Sequence, residues 1–413
     1  MQPGDEVYAA YAFAGKLRGV VTRHASSTPE ARVAAIRETF DGIDPAVARH
    51  LTTRHASTIG NLEGVPYELR YAANLQRIRD AAGSAHGVQR KRLKDLAAPI
   101  GTRRIVDPAT GRQRAVDVHR QFLTFDPAGA GRMVEVRGDL ARAKQVAVVV
   151  PGMLNGIRTF GHLVAETDAV RNAAGPRDTA AVTWLGYRSP QGVDATGTGS
   201  ARTGAAGLRE FRAGLDQQIR PDARVSVVAH SYGTVVTAGA LRQGTRFDNA
   251  VLLGSPGLAP DVRSAADLGA AGTRLFTARA PGDYVSYTQW HGRDPASFPD
   301  AVRMATAGGT SVTGHLGYLR PDSESLRNVG RVVGGRPGAV TTTATSPVRE
   351  MLAAKRLLPT SVVSTGIGAV AERARALRTR PGAVPPARAP GAATPPPRQP
   401  PAPPVRGPRG PQA

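Results

Sequence analysis

A β-branched run that ends in a serine turn constrains this chain more than any other feature. Arg224-Val225-Ser226-Val227-Val228-Ala229-His230-Ser231-Tyr232-Gly233-Thr234-Val235-Val236 reads as a strand, a sharp turn and the start of a helix, which Ala238, Gly239, Ala240 and Leu241 continue. Such a turn lifts the serine hydroxyl out of the sheet. It is also crowded, so the residues two before and two after the serine must be small. Here they are Ala229 and Gly233. A serine that only caps the next helix would need neither, so Ser231 is a candidate nucleophile.

The texture around this turn predicts a mostly parallel, doubly wound α/β sheet. Continuous apolar runs at Gln145–Val150, Thr179–Leu185, Val225–Ala229, Ala250–Leu253 and Arg274–Ala278 suit strands buried on both faces, and Ala301–Ala305 suits a last one. A helical segment is expected over Gly204–Ile219. Phe122–Phe125 and Met133–Val136, split by Asp126-Pro127-Ala128-Gly129, read as an antiparallel edge pair. Residues 1–100 read as a helical region, with segments Val7–Val21, Pro29–Phe40, Pro45–Arg54 and Pro66–Ala81 and a short basic helix or linker at Gln89–Leu96.

The expected division is a helical region over 1–100, an α/β domain over 101–335, a partly helical linker over 336–380 and a tail over 381–413. The tail holds 13 prolines in 33 residues and should be extended and disordered. A helix is expected at Ala369–Leu377.

The formal charge of +22 suggests a polyanionic partner, but its placement tempers that reading. From Arg331 onward 13 Lys/Arg face only Glu350 and Glu372, so half of the excess lies in the last 83 residues. Arginine-rich, alanine-rich composition also fits a GC-rich genome. Contact of the basic tail with nucleic acid or an anionic membrane is therefore an expectation beside a neutral explanation. The N-terminus lacks the charged-then-apolar pattern of a signal peptide, and no apolar run approaches the roughly 20 residues of a membrane span. Leu357–Val370, the longest weakly polar stretch, is broken by Pro359, Thr360, Ser361 and glycines. A soluble cytoplasmic protein is expected. The chain has no cysteine, and no metal or cofactor motif is found; Ala195-Thr196-Gly197-Thr198-Gly199-Ser200 lacks the P-loop lysine and reads as a flexible lid or loop.

A serine hydroxyl needs a base, and the base needs an orienting acid. On a strand–turn–helix of this kind the chain order is serine, acid, histidine. Only His291 and His315 lie downstream of Ser231. His315 ends the glycine-rich stretch from Gly308 and follows the last expected strand; His291 competes as a loop or substrate-side histidine. Asp283 follows a strand and a Pro281-Gly282 turn. Asp261 and Asp267, which looks buried in a helical stretch, are its rivals. His230 should point away from the serine. An oxyanion needs two donors: the Tyr232 N–H and, from Val150-Pro151-Gly152-Met153-Leu154-Asn155-Gly156, the Met153 N–H.

These residues resemble a largely uncharacterised, mostly actinobacterial branch of the α/β-hydrolase superfamily. The resemblance spans about residues 50–320. It rests on Gly60-Asn61-Leu62-Glu63-Gly64-Val65-Pro66 with Asn74, Val150-Pro151-Gly152, Ala229-His230-Ser231-Tyr232-Gly233, Gly254-Ser255-Pro256-Gly257, Asp283, His291-Gly292-Arg293-Asp294-Pro295 and His315. Family members usually carry glycine at the position of Ala229. The resemblance implies an α/β-hydrolase fold and the Ser231–Asp283–His315 assignment, and supplies no substrate. The expected function is a serine hydrolase, esterase- or lipase-like, cleaving an ester, thioester or amide of a small-molecule or lipid-like acyl substrate. The alternative is a non-catalytic scaffold that binds partners through its basic proline-rich tail.

Overall fold

Caps and prolines start the helices that open the chain. In the computed structural model, which describes residues 5–106, 110–307, 312 and 314–343, α1 (Asp5–Arg23) begins with two acids, favourable at a helix N-terminus. Pro29 and Pro45 sit at the first turns of α2 (Pro29–Glu38) and α3 (Pro45–Arg54). Thr28 and Asp44 accept backbone N–H bonds there. α4 (Ala56–Ile59), α5 (Tyr67–Ser84) and α6 (Gly87–Ala97) follow. Ala10, Ala14, Leu17, Ile36, Phe40, Leu51 and Ile59 close a small core among them.

The segment after α6 adds a feature that the sequence pattern does not predict. β1 (Gly101–Val106) and β2 (Gln113–Val118) form an isolated antiparallel ribbon outside the main sheet. Its residues are mostly exposed, so it has no buried face whose alternation a pattern search could detect.

The main sheet has eight strands, in the order β10-β9-β8-β7-β5-β6-β4-β3. β3 (Gln121–Asp126) and β4 (Arg132–Arg137) are the antiparallel edge pair. β5 (Gln145–Val150), β6 (Thr179–Leu185), β7 (Arg224–His230), β8 (Asn249–Leu253), β9 (Arg274–Ala278) and the two-residue β10 (Val302–Arg303) run parallel. Successive side chains of a strand face opposite layers. Thus Val146, Val148, Val225, Val227 and Ala229 pack with α8 (Gly199–Asp216) and α9 (Tyr232–Arg242). Ala147, Val149, Val228, Val251 and Phe276 pack with α7 (Phe160–Ala174) and α11 (Glu324–Val333). A short α10 (Tyr284–Thr288) follows β9.

The start of the expected linker joins this body: the Ala305 N–H donates to the Thr341 carbonyl and Asn328 bonds Thr341. The expected helix at Ala369–Leu377 and the proline-rich tail from Pro381 lie outside the described residues. Among those described, no helix is long and apolar enough to cross a membrane.

An edge strand leaves backbone groups unpaired. Here side chains of the helical region satisfy them. Asn61 accepts the Phe125 N–H at 2.9 Å and donates to its carbonyl at 3.1 Å. Asn74 donates to the Phe122 carbonyl and Arg70 to that of Leu123, at 3.0 and 2.6 Å. Arg70 is fully buried and forks onto Glu63 at 2.5 and 2.7 Å. The Gly60–Pro66 stretch and Asn74 thus cover the sheet edge and lie apart from the serine turn. Arg70→Met would strand the buried Glu63 carboxylate and is expected to cost about 3–5 kcal/mol in denaturant unfolding. Adding Glu63→Gln to it should recover part of that loss.

Candidate active site

The serine turn carries backbone strain at one residue. Ser231 has φ 56 and ψ −129, a left-handed φ for a residue with a Cβ. Its N–H donates to the Leu253 carbonyl at 2.9 Å, which ties the turn to the neighbouring strand. A Cβ at Gly233 would sit 2.5 Å from the Val150 carbonyl, and one at Gly152 would sit 2.7 Å from Ser231 Cβ. Both glycines are therefore required by close approach. Ala229 is fully buried and in register with Val150 and Leu252, so its methyl is accommodated in the turn.

Three of the residues expected from sequence converge on one chain of hydrogen bonds. Ser231 Oγ lies 2.8 Å from His315 Nε2, and His315 Nδ1 lies 2.8 Å from Asp283 Oδ1. This direction sets the tautomer: Nδ1 carries the proton and Nε2 accepts from the serine. Asp283 is fully buried at the start of α10. Its carboxylate also accepts the Ser286 N–H (3.2 Å), Ser286 Oγ (3.0 Å) and Tyr318 Oη (2.5 Å). Burial alone would raise its pKa. The neighbouring His315 and these donors overcome that and hold it at about 2.

The rivals lie elsewhere. His291 donates from Nε2 to the Ala195 carbonyl at 2.8 Å, and its ring meets Tyr232 edge-on. Asp261 is exposed and pairs with Arg242. Asp267, expected to be buried in a helix, is exposed in a short 3-10 turn and accepts the N–H groups of Arg263 and Ser264. The turn is too short to bury it.

Neighbouring residues support the arrangement. His230 does not simply turn away: its Nε2 donates to the His315 carbonyl at 2.7 Å, and the two rings lie 4.7 Å apart. Burial first, and His315 next, lower its pKa to about 4, so it stays neutral. Gly254 has φ 57, and a Cβ there would meet Asp283 Oδ2 at 2.7 Å and His315 Nδ1 at 3.2 Å. Buried Arg279 pairs with buried Asp294 at 2.8 Å and bridges β9 to the stretch after His291.

The loop after β5 is gripped through its carbonyls. Ser189 Oγ and Asn155 Nδ2 both donate to the Gly152 carbonyl at 3.0 Å. Tyr187 Oη donates to the Pro151 carbonyl at 2.7 Å and lies 3.2 Å from that of Gly152. Tyr232 is the first residue of α9, so its N–H is one of the donors that a helix cannot satisfy internally. The stretch read as a flexible lid or loop is a 3-10 turn, Val193–Thr196, leading into α8. It is bonded to Tyr232 Oη through the Gly197 carbonyl (2.8 Å), to His291 and to Trp290.

Residues 126–291 match a family described as alpha/beta hydrolase, a span that includes Ser231 and Asp283 and stops before His315. An uncharacterized protein of Mycobacterium tuberculosis is 29% identical over 273 residues, covering 58% of this chain and 41% of the relative. A second, also from Mycobacterium tuberculosis and uncharacterized, is 32% identical over 164 residues, covering 37% of this chain and 61% of the relative. The chain thus spans well under two thirds of the first relative. Among solved structures, a carboxylesterase from Mesorhizobium loti is 16% identical, covering 46% of this chain and 90% of its own, with a TM-score of 0.32. A 2,6-dihydroxy-pseudo-oxynicotine hydrolase is 12% identical, covering 84% and 93%, with a TM-score of 0.33. With its strand–serine–helix turn on a mostly parallel sheet, the chain has the α/β-hydrolase fold, and its sequence is similar to that family and to uncharacterized proteins of Mycobacterium tuberculosis.

Proposed function

We propose that the protein is a serine hydrolase that cleaves an ester, thioester or amide through an acyl-enzyme. The observation that carries this reading is the unbroken hydrogen-bond chain from Ser231 through His315 to Asp283. Ser231 Oγ attacks the substrate carbonyl carbon as His315 Nε2 takes its proton. The tetrahedral intermediate collapses, and His315 gives that proton to the departing alkoxide, thiolate or amine. Water then attacks the acyl-enzyme, gives a proton to His315, and the serine leaves with it. Asp283 holds the imidazole in the required tautomer and stabilises the imidazolium.

The oxyanion is held by the N–H groups of Tyr232 and Met153. Support for Met153 comes from the grip on the preceding carbonyl. Across a trans peptide the C=O and N–H point in opposite directions. With the Gly152 oxygen fixed by Ser189 and Asn155, the Met153 N–H is fixed on the other side. The Gly152 Cα is packed against Ser231. A carboxylic ester is the first substrate class to try, because its carbonyl is less stabilised by resonance than that of an amide and is attacked more readily.

Three measurements check this reading. Wild type should label with a fluorophosphonate and hydrolyse short-chain p-nitrophenyl esters; Ser231→Ala should lose labelling and at least roughly 10⁴-fold in kcat. Equal labelling of both proteins refutes the assignment, and an unlabelled wild type favours a non-catalytic scaffold.

Ser189→Ala combined with Asn155→Ala removes two of the three donors from the Gly152 carbonyl and leaves only Tyr187 Oη at 3.2 Å. It should lower kcat by roughly 10²-fold with little change in KM. A boronic acid that forms a tetrahedral serine adduct should weaken in parallel.

Acid sensitivity is the third. His230 stays neutral in the fold down to a pH of about 4, against an ordinary value of 6.5. Protonation therefore favours the unfolded chain. Stability is complete above pH 6.5 and falls as pH drops toward 4, by about 3 kcal/mol. Asp283, held at about 2 against 3.8, adds a further loss between those values. In a urea series against pH, His230→Gln should flatten the upper of the two windows.

A further inference from the structure

A second feature stands apart from the serine. Arg79 on α5 and Arg90 and Lys94 on α6 line a cavity of about 430 Å³, whose remaining walls are Ala82, Gly83, Ala97 and Ala98. Among the described residues no carboxylate pairs with any of the three cations; Arg90 spends only its Nε, on the Ala85 carbonyl at 2.6 Å. Three cations line one small-residue hollow, and an anion placed there would be attracted by all of them.

The β1–β2 ribbon starts where this hollow ends. His119 Nδ1 lies 3.1 Å from the carbonyl of Ala97, which itself lines the hollow. The register pairs Thr102 with Asp117, Arg104 with Ala115 and Val106 with Gln113. Strand alternation therefore puts Ile100, Thr102, Arg104, Val106, Gln113, Ala115 and Asp117 on one face, and all of them are exposed. Ile100 and Val106 are 57% and 59% exposed, and Val88, at the start of α6, is 61% exposed. Arg103 and Arg114 add charge on the other face, with no carboxylate partner among the described residues. A bare two-stranded ribbon with wet apolar side chains is an unfinished surface.

We propose that the α5–α6 hollow and the exposed ribbon face together dock this protein on an anionic phospholipid surface, the hollow taking a lipid phosphate and the ribbon's apolar side chains entering the interface. The mixture of residues selects this partner. A nucleic acid would satisfy the cations, but its backbone has no place for Ile100 and Val106, and the seven residues of that face include no aromatic on which a base could stack. A bilayer interface satisfies both kinds of group. The inference does not depend on the chemistry of Ser231.

The test is co-sedimentation of the full chain with vesicles of phosphatidylcholine alone or mixed in equal parts with phosphatidylglycerol. Binding should require phosphatidylglycerol and weaken with salt. The triple variant R79Q/R90Q/K94Q should lose on the order of 100-fold in partitioning, and I100S/V106S should weaken binding at every salt concentration. Unchanged thermal unfolding midpoints show that both variants fold. Three results overturn the proposal. One is full binding by the triple variant with loss in R388Q/R398Q/R406Q/R409Q, which would assign the contact to the C-terminal arginines. Another is tighter binding to duplex DNA than to vesicles at equal salt. The third is binding of inorganic phosphate, abolished by the triple variant, with no vesicle association, which would make the hollow a free-anion site.

Discussion

The left-handed backbone at Ser231 is the constraint around which the carboxyl edge of the sheet is built. A non-glycine residue in such a region costs on the order of 1–3 kcal/mol and persists only when its surroundings over-determine it. Here β7 is fixed on both sides by β5 and β8, the Ser231 N–H is bonded to Leu253, and the first turn of α9 is buried. Gly152 and Gly233 let two more backbone segments close against the turn. The strain is thus carried by long-range packing, and the hydroxyl is presented on a rigid edge rather than on a mobile loop.

The same edge brings the histidine loop into place by backbone as well as side-chain contacts. His230, one residue before the serine, holds the His315 carbonyl, while Ser231 meets the His315 ring. Gly254, at the end of β8, leaves room for Asp283, Tyr318 and His315 to meet. Tyr318 spans the acid and the Ala280 N–H. His230, Gly254 and Tyr318 thus tie the Ser231–His315–Asp283 chain to the ends of β7, β8 and β9. That is what a reaction sensitive to small displacements requires.

The helical lead-in and the sheet are joined by an edge cap. Asn61, Asn74 and Arg70 supply the hydrogen bonds that another strand would supply to β3. This blunts the edge against pairing with other chains. The lead-in then bears the cationic hollow, so one face of it completes the fold while another is left to the solvent.

The sequence by itself determined the parallel strands, the serine turn and the order serine–acid–histidine, because apolar runs and steric crowding are local. Ala229 and Gly233 had to be small whatever lay around them. The choice among histidines was tertiary: His291 and His315 are both loop residues after β9, and only tertiary folding across a separation of 84 positions brings His315, rather than His291, to Ser231. Asp267 was misjudged as buried because helical periodicity cannot report where a short turn sits. The ribbon was invisible because its apolar residues face solvent and obey no buried pattern. The grip on the Gly152 carbonyl and the cap on β3 join residues that are distant in the chain, up to 64 positions apart for Asn61 and Phe125. Such contacts leave no periodic trace, and three-dimensional closure alone decided them.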